Sequence, residues 1–184
     1  DVTFGNPVYQ VLAAISMKYA DRIVCVSEAA REACLRRAMP AEKLVVIYWG
    51  VDPPPALPHS LARAELARRL GLDVSSVNVL LTAGRLVRRK GVEWFIENVV
   101  PLLRESEMPF LYLVVGSGPD EGQIRQTADR LGLGDSVRLM GQVSDGDLAV
   151  CMAAADMFVM PNIRVPGDME GFGLVALEAA ACGL

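Results

Sequence analysis

The feature that most constrains this chain is a regular alternation of short apolar runs with longer segments of helical periodicity. The runs NVLLTAG (78–84), FLYLVVG (110–116), VRLMGQ (137–142) and MFVMP (157–161) are strand-sized and are separated by amphipathic segments. Strands that are largely apolar must be covered on both faces. The sequence therefore predicts an α/β fold with an open, doubly wound parallel sheet. The predicted helices of this part lie at residues 60–72, 92–106, 120–133, 144–155 and 173–183.

The first fifty residues predict a smaller unit of the same kind. A helical segment is followed by strand, helix and strand patterns over residues 21–49, with Ser27 as the N-cap of the second helix. This order is typical of a right-handed βαβ crossover. A proline-rich stretch at 51–59 then predicts a stiff linker and a domain boundary near Gly50. The predicted division is thus 1–50, the linker 51–59, and a second domain at 60–184, which we expect to be incomplete at its carboxyl end, with both chain ends truncated.

Composition excludes several classes of protein. Apolar residues make up 52% of the chain, so a folded core is expected, but no apolar run reaches the roughly 20 residues of a membrane-spanning helix. The net charge of -4 argues against a nucleic-acid partner. The lone His59 makes a histidine-based triad or metal site improbable. The cysteines lack CxxC spacing and favour reduced thiols in a cytosolic compartment: Cys25, Cys34, Cys151 and Cys182.

Two loops carry residues that could bind an anion. The loop GRLVRRKG (84–91) places Arg85, Arg88, Arg89 and Lys90 between two glycines, a cluster able to hold a diphosphate or simply to form a solvated basic loop. The segment VVGSGPD lacks the full spacing of a dinucleotide fingerprint, and a turn before a helix explains it better. Gly116 in this turn can still border a ligand.

Two glutamates flank the last predicted turn and helix. Glu170 precedes a glycine turn, and Glu178 follows eight positions later. Eight helical residues rise about 12 Å, so these carboxylates suit opposite ends of one long ligand better than one shared atom. Backbone N–H groups around residues 171–174 would favour an anion between them. The alternative is one capping and one interior glutamate.

Five segments in order resemble the retaining nucleotide-sugar glycosyltransferases of family 4, which have two facing Rossmann-like domains (the GT-B arrangement). These segments are ADRIVCVSEAA with KLVVIYWGVD, then GRLVRRKG, VVGSGP, VRLMGQVSDGDL and MPN…EGFGLVALEAAACG. The resemblance covers nearly the whole chain. It implies that residues 1–50 end an acceptor-binding domain and that 60–184 form most of the nucleotide-sugar-binding domain. The motif YWG, where the family usually has "pNG", departs from the pattern.

The resemblance implies a role for each matched residue. Arg85 and Lys90 would bind the donor diphosphate and stabilise the charge that grows on it as the sugar leaves. Glu170 would hold hydroxyls of the transferred sugar, and Glu178 would accept hydrogen bonds from the ribose. Val143 and Asp145 fall where similar enzymes contact the base. The remaining donor-binding positions implied are Gly84, Gly116, Gly171, Phe172, Gly173 and Leu174.

The resemblance also suggests the substrates. The long segment PNIRVPGDMEGFG is similar to that of mannosyltransferases that build phosphatidylinositol mannosides, so GDP-mannose is the first expected donor, with UDP-sugars as alternatives. The acceptor would be a lipid or saccharide bound by the missing amino-terminal part, through which peripheral membrane association would also arise. No cofactor and no metal are expected, because Arg85 and Lys90 would stabilise the leaving group. Together with the reduced cysteines, the resemblance implies a cytoplasmic location that extends to the inner face of the membrane.

Two other functions remain open at this point. A two-domain sugar-nucleotide epimerase shares the architecture and would act without an acceptor. A non-catalytic nucleotide-sugar-binding module would keep the site for sensing alone. Because the acceptor half of the cleft is absent, we expect this chain by itself to bind the donor weakly and not to transfer the sugar.

Overall fold

The computed structural model describes residues 7–52, 57–106, 108–166, 168 and 170–184. The chain divides into two compact units, residues 1–50 and 51–184. Residues 53–56 of the predicted linker lie outside the described residues.

The first unit contains a βαβ element, as predicted. Its two strands are parallel, with Ile23 opposite Leu44. Ser27 caps the second helix, because its Oγ accepts a hydrogen bond of 3.1 Å from the backbone N–H of Ala30. The elements are α1 (Pro7–Tyr19), β1 (Ile23–Cys25), α2 (Glu28–Arg36), a 3-10 turn (Ala41–Lys43) and β2 (Leu44–Val46).

The second unit is a parallel sheet with helices on both faces. Its strands lie in the order β5-β4-β3-β6, and every neighbouring pair is parallel. The helices are α3 (His59–Leu70), α4 (Val92–Asn98), α5 (Val100–Glu105), α6 (Glu121–Arg130), α7 (Asp145–Ala154) and α8 (Leu174–Ala181), and the strands are β3 (Asn78–Ala83), β4 (Phe110–Val115), β5 (Val137–Gly141) and β6 (Met157–Phe158).

Side chains of the central strands alternate between two separate cores. Val79 and Leu81 of β3 pack in one core with residues of α3 and α7, whereas Leu80 packs in the other with residues of α4 and α6. Strand β4 alternates in the same way, with Leu113 on the first face and Tyr112 on the second. The doubly wound fold expected from apolar strands is thus confirmed.

A polar pair lies inside the second core. The Tyr112 hydroxyl and Thr82 Oγ1 are 2.7 Å apart, and Thr82 Oγ1 also donates to the backbone oxygen of Val159 at 2.7 Å. Because Thr82 donates to Val159, the tyrosine hydroxyl must donate to Thr82. The pair ties β3 to β4 and to the chain after β6. Burial raises the pKa of Tyr112 far above its ordinary value.

Two element boundaries differ from the sequence prediction. The helix predicted at 92–106 is divided at Val99 into α4 and α5, because Pro101 has no N–H to continue the hydrogen-bond ladder and sits in the first turn of a new helix. Helix α3 begins at His59, inside the stretch predicted as linker. Pro58 precedes it as N-cap with φ -54°, which suits a helix start, and His59 Nε2 lies 3.6 Å from Asp156 Oδ1.

Within the described part of the chain, no helix is both long and apolar enough to span a bilayer. The four cysteines are free thiols, and Cys25 and Cys151 are buried.

Candidate functional site

The loops that follow β3, β4 and β5 meet at the carboxyl edge of the sheet and line a shallow cleft. Ligands of open α/β sheets bind beyond this edge. The cleft has a volume of about 490 Å³ and is largely open to solvent. It contains three of the residues implicated by the sequence, and its lining residues are Gly84, Arg85, Gly116, Ser117, Gly118, Pro119 and Gln142.

The floor of the cleft is built by backbone groups in close contact. The N–H of Gly84 donates to Val115 O at 2.9 Å, and the N–H of Gly116 donates to Gly141 O at 2.8 Å. A Cβ atom at Gly116 would lie 1.9 Å from the carbonyl oxygen of Gly84, and Gly116 has φ +128°. Glycine is therefore the residue that fits here, and its absence of a side chain lets a ligand approach the backbone.

Lys90 lies between this cleft and Glu170. It ends the 3-10 turn Arg88–Lys90, and its Nζ would lie 3.9 Å from a Cβ built on Gly84. The same Nζ is 2.5 Å from Glu170 Oε2. Only 12% of the Lys90 side chain is exposed. The structure thus brings two residues from distant parts of the sequence, both implicated by the resemblance, to one edge of the cleft.

Glu170 is the centre of a charge network. Its Oε2 accepts from Arg89 Nη1 at 2.6 Å and from Asn162 Nδ2 at 3.3 Å, in addition to Lys90. Partial burial raises the pKa of Glu170, but the hydrogen bond and charge of Lys90, the charge of Arg89 and the amide of Asn162 outweigh it and hold the pKa below its ordinary value. The carboxylate is therefore ionised and ready to accept hydrogen bonds.

Arg89 also binds the segment before Glu170. Its Nε lies 3.0 Å from Asp168 Oδ1, and its backbone oxygen accepts from the N–H of Ile163 at 2.9 Å. Gly91, two residues after Arg89, has φ +66° and lies very close to Pro161. A Cβ atom at Gly91 would be 2.2 Å from Pro161 O. The basic loop and residues 161–163 are therefore packed backbone against backbone.

The other predicted site residues lie on neighbouring elements. Gly171, Phe172 and Gly173 connect Glu170 to α8, which begins at Leu174 and carries the half-buried Glu178. Val143 packs against the first core, and Asp145 is the exposed first residue of α7. Within the described residues, the lining of the cleft does not include Val143, Asp145 or Glu178.

Several residues of the site were not identified from the sequence. Arg89 was noticed only as one member of a basic cluster, and its charge gave no sign that it would turn inward. Asn162 and Asp168 reach the network through the fold of their segment, for which the sequence offers no periodic signal. Ser117 and Gln142 line the cleft because they directly follow strand-end glycines. Among the residues described, no group of three or more His, Cys, Asp or Glu is arranged to hold a metal ion.

A glycine-lined cleft at the carboxyl edge of a doubly wound sheet, flanked by an arginine, a lysine and an ionised glutamate, suits a nucleotide-type ligand with negative charge and hydroxyl groups. Residues 67–184 match the family model described as Glycosyl transferases group 1. The match extends over more than half of the chain, and the chain belongs to this family. The GT-B glycosyltransferase resemblance inferred from the ordered motifs is thereby confirmed.

Individual relatives give the same result. The chain is 35% identical over 166 residues to the GDP-mannose-dependent alpha-(1-6)-phosphatidylinositol monomannoside mannosyltransferase of Mycobacterium tuberculosis (strain CDC 1551 / Oshkosh), covering 89% of this chain and 42% of the relative. It is 36% identical over 149 residues to the D-inositol 3-phosphate glycosyltransferase of Segniliparus rotundus, covering 77% of this chain and 30% of the relative. The chain spans less than half the length of these relatives.

A solved structure has the same fold. The crystal structure of Anabaena Alr3699/HepE in complex with UDP-glucose superposes with a TM-score of 0.76 at 26% identity, covering 95% of this chain and 46% of that one. The Rossmann-like, parallel α/β architecture predicted from the sequence is therefore shared with a solved protein that binds UDP-glucose.

Proposed function

We propose that this chain is the donor-binding part of a retaining glycosyltransferase that moves a hexosyl group from a nucleotide sugar to a lipid or saccharide acceptor. The observation that carries the proposal is the 2.5 Å contact between Lys90 and Glu170 at the edge of the glycine-lined cleft. This contact supports the proposal because Lys90 is the cation proposed to bind the diphosphate and Glu170 is the carboxylate proposed to bind the sugar hydroxyls. Membership of the glycosyltransferase family supports the reaction class.

The diphosphate is expected to lie in the cleft against the backbone of Gly84 and Gly116. Arg85, which lines the cleft, and Lys90 at its edge supply positive charge where negative charge develops on the leaving nucleoside diphosphate. Positive groups fixed in advance stabilise such a charge without reorganisation in the transition state. We propose that these two side chains replace a metal ion in this role.

The sugar and the ribose are expected to be held by the two glutamates. Glu170 is ionised and sits beside Lys90; the described contacts go to its Oε2, and we propose that Oε1 accepts hydrogen bonds from sugar hydroxyls. Glu178 lies in α8, the helix that follows Glu170, and is proposed to accept hydrogen bonds from the ribose. Val143 and Asp145, near the cleft residue Gln142, are proposed to contact the base.

GDP-mannose is the first proposed donor. The GDP-mannose-dependent relative of M. tuberculosis supports it, whereas the UDP-glucose complex of HepE keeps UDP-sugars as alternatives. We expect the acceptor site to lie outside these 184 residues. A lipid acceptor would place the reaction at the cytoplasmic face of a membrane.

Calorimetric titration of GDP and UDP into the chain tests the donor site. One nucleotide is expected to bind, with affinity falling at higher salt, and the Arg85→Ala/Lys90→Ala variant is expected to lose at least tenfold in affinity. The matched control Arg88→Ala/Arg125→Ala removes the same charge from exposed positions and should change the affinity less than threefold. Equal losses in both variants would mean that only net charge attracts the nucleotide.

The reaction itself is tested with the full-length protein and GDP-mannose or UDP-glucose. The proposal expects a product with the donor's anomeric configuration, formed only with an acceptor, and undiminished after treatment with a chelator. Inversion of configuration would contradict the retaining mechanism. Epimerisation without an acceptor would favour the epimerase alternative, and a loss of activity with the chelator would overturn metal independence.

A further inference from the structure

Arg89 binds two carboxylates at once. Its side chain is only 12% exposed, as is that of Lys90, and it contacts the carboxylates through separate nitrogen atoms, Nε to Asp168 and Nη1 to Glu170. We propose that Arg89 is a positioning residue that keeps Glu170 in place for the sugar while Lys90 turns to the donor diphosphate. This inference rests on the proposed donor site.

The geometry makes Arg89 a fixed support. A guanidinium that binds two carboxylates through separate nitrogen atoms has little freedom to rotate. Its main chain is held as well, because Arg89 O accepts from Ile163 N at 2.9 Å and the next residue but one, Gly91, touches Pro161 O too closely for any side chain. Arg89 therefore joins the basic loop to the segment that carries Glu170.

Lys90 is the more mobile partner. Its ammonium is a single point charge at the end of a four-carbon chain, and it lies next to Gly84 at the rim of the cleft. A rotation of this side chain can bring Nζ from Glu170 toward a diphosphate in the cleft. Arg89 has no such path, because moving it would break both carboxylate contacts.

The charges of the network explain why Glu170 needs both Arg89 and Lys90 as partners. In the donor-free state the carboxylates of Asp168 and Glu170 are matched by Arg89 and Lys90. A diphosphate adds negative charge and draws Lys90 toward itself. Without Arg89, Glu170 would then be a partly buried carboxylate that lacks a cation, which is a costly arrangement. With Arg89 in place, Glu170 stays ionised and fixed, so it can discriminate a nucleotide sugar from the free nucleotide.

The test compares two ligand classes in the same variants. GDP and GDP-mannose, and UDP and UDP-glucose, are titrated into the wild-type chain, Arg89→Gln, Arg89→Lys and Lys90→Gln, with Arg88→Gln as the exposed matched control. Arg89→Gln is expected to weaken binding of the nucleoside diphosphate by up to about threefold, because Lys90 must then leave Glu170 to reach the diphosphate. It is expected to weaken binding of the nucleotide sugar by about tenfold or more, because the unsupported carboxylate also loses its hydrogen bonds to the sugar. Arg89→Lys should lose less affinity for the nucleotide sugar than Arg89→Gln does. Lys90→Gln should weaken both ligands, and Arg88→Gln neither.

A second measurement needs no donor. Amide hydrogen exchange at Ile163 and at residues 170–173 is expected to be faster in Arg89→Gln than in the wild type, and unchanged in Lys90→Gln. Equal loss of both ligands in Arg89→Gln, an unchanged preference for the nucleotide sugar, or unchanged exchange would each overturn the role of Arg89. Faster exchange in a chain that binds none of these ligands would support the anchoring by Arg89 and contradict the proposed function instead.

Discussion

The floor of the cleft depends on single backbone positions. Gly116 has φ +128°, and an added methyl group would overlap the carbonyl oxygen of Gly84. This contact cannot be relieved by rotating a flexible side chain, because both groups belong to the main chain. The loops after β3 and β4 must therefore separate to admit any other residue.

Gly116→Ala is expected to destabilise the fold by about 3 kcal/mol or more, because it combines overpacking with a strained backbone conformation. The matched control is Gly122→Ala in α6, where a Cβ atom meets nothing within 4 Å and φ is ordinary. The control should stabilise the chain by up to about 1 kcal/mol, since alanine favours helix. Urea unfolding followed by circular dichroism measures both, and a small loss in Gly116→Ala would contradict the contact.

Glu170 gives the folded chain a specific dependence on pH. Its pKa in the folded state is held below the ordinary value near 4.5, chiefly by Lys90 acting against the effect of burial. The resulting stabilisation is fully present above the ordinary pKa and is lost as the pH falls through the lowered pKa. The residue is one quarter exposed, so the effect is expected to be moderate.

We therefore predict that the difference in free energy of unfolding between the wild type and Glu170→Gln is constant near neutral pH and shrinks below about pH 4. Urea unfolding at several pH values between 3 and 7 checks this. A difference that grows on acidification would mean that the pKa of Glu170 is raised rather than lowered.

At the scale of elements, α3 is joined to the sheet by Arg63. This side chain is 14% exposed and donates to Val77 O at 2.7 Å and to Ala154 O at 3.4 Å. It also lies 3.4 Å from Asp156 Oδ2, which in turn accepts from the N–H of Val79 at 2.7 Å. One arginine thus connects the helix to the starts of β3 and β6.

Arg63→Met is expected to lower the free energy of unfolding by about 2 kcal/mol, because it leaves backbone oxygens and Asp156 without this donor. The control Arg68→Met lies on the same helix, where the arginine side chain is 71% exposed and its described contacts are to Glu65. The control should change stability by less than about 1 kcal/mol. Chemical denaturation of both variants measures the two losses in free energy of unfolding. Equal losses would contradict the bridging role of Arg63.

Element order was predictable from the sequence, because the periods of apolar residues follow from burial on one or two faces. The sequence did not predict the break between the two helices at Val99, because the apolar pattern continues through Pro101. The proline changes only the backbone hydrogen bonds, which the apolar pattern does not reflect. The site was predictable only in part. Arg85 and Lys90 come from a local motif, but the inward direction of Arg89 depends on Asp168 and Glu170, about eighty residues later in the chain.

At the scale of the whole molecule, the two units differ in how much core each contains. Residues 51–184 bury side chains on both faces of a four-stranded sheet. In the first unit, among residues whose side chains are described, only Cys25 and Leu44 are buried. A unit of about fifty residues with so little buried surface is not expected to be stable by itself.

Residues 51–184 expressed alone are therefore predicted to unfold in one cooperative transition and to bind the nucleotide with an affinity within about threefold of the whole chain. Residues 1–50 alone should show little regular structure. Circular dichroism with thermal unfolding, and the same calorimetric titration, measure these outcomes. A cooperative transition in the isolated first fifty residues would show that this unit has a sufficient core of its own.

The backbone contacts at Gly116 and Gly118 also bear on how the family can diverge. The carbonyl groups they touch belong to Gly84 and Leu86, in a loop that lies thirty residues earlier in the chain. If the loop at residues 84–91 were longer or shifted, it would leave space for a side chain at position 116 or 118. In an alignment of homologues, substitutions at 116 and 118 should therefore occur together with insertions or deletions between 84 and 91, as one inherited event in place of two independent ones.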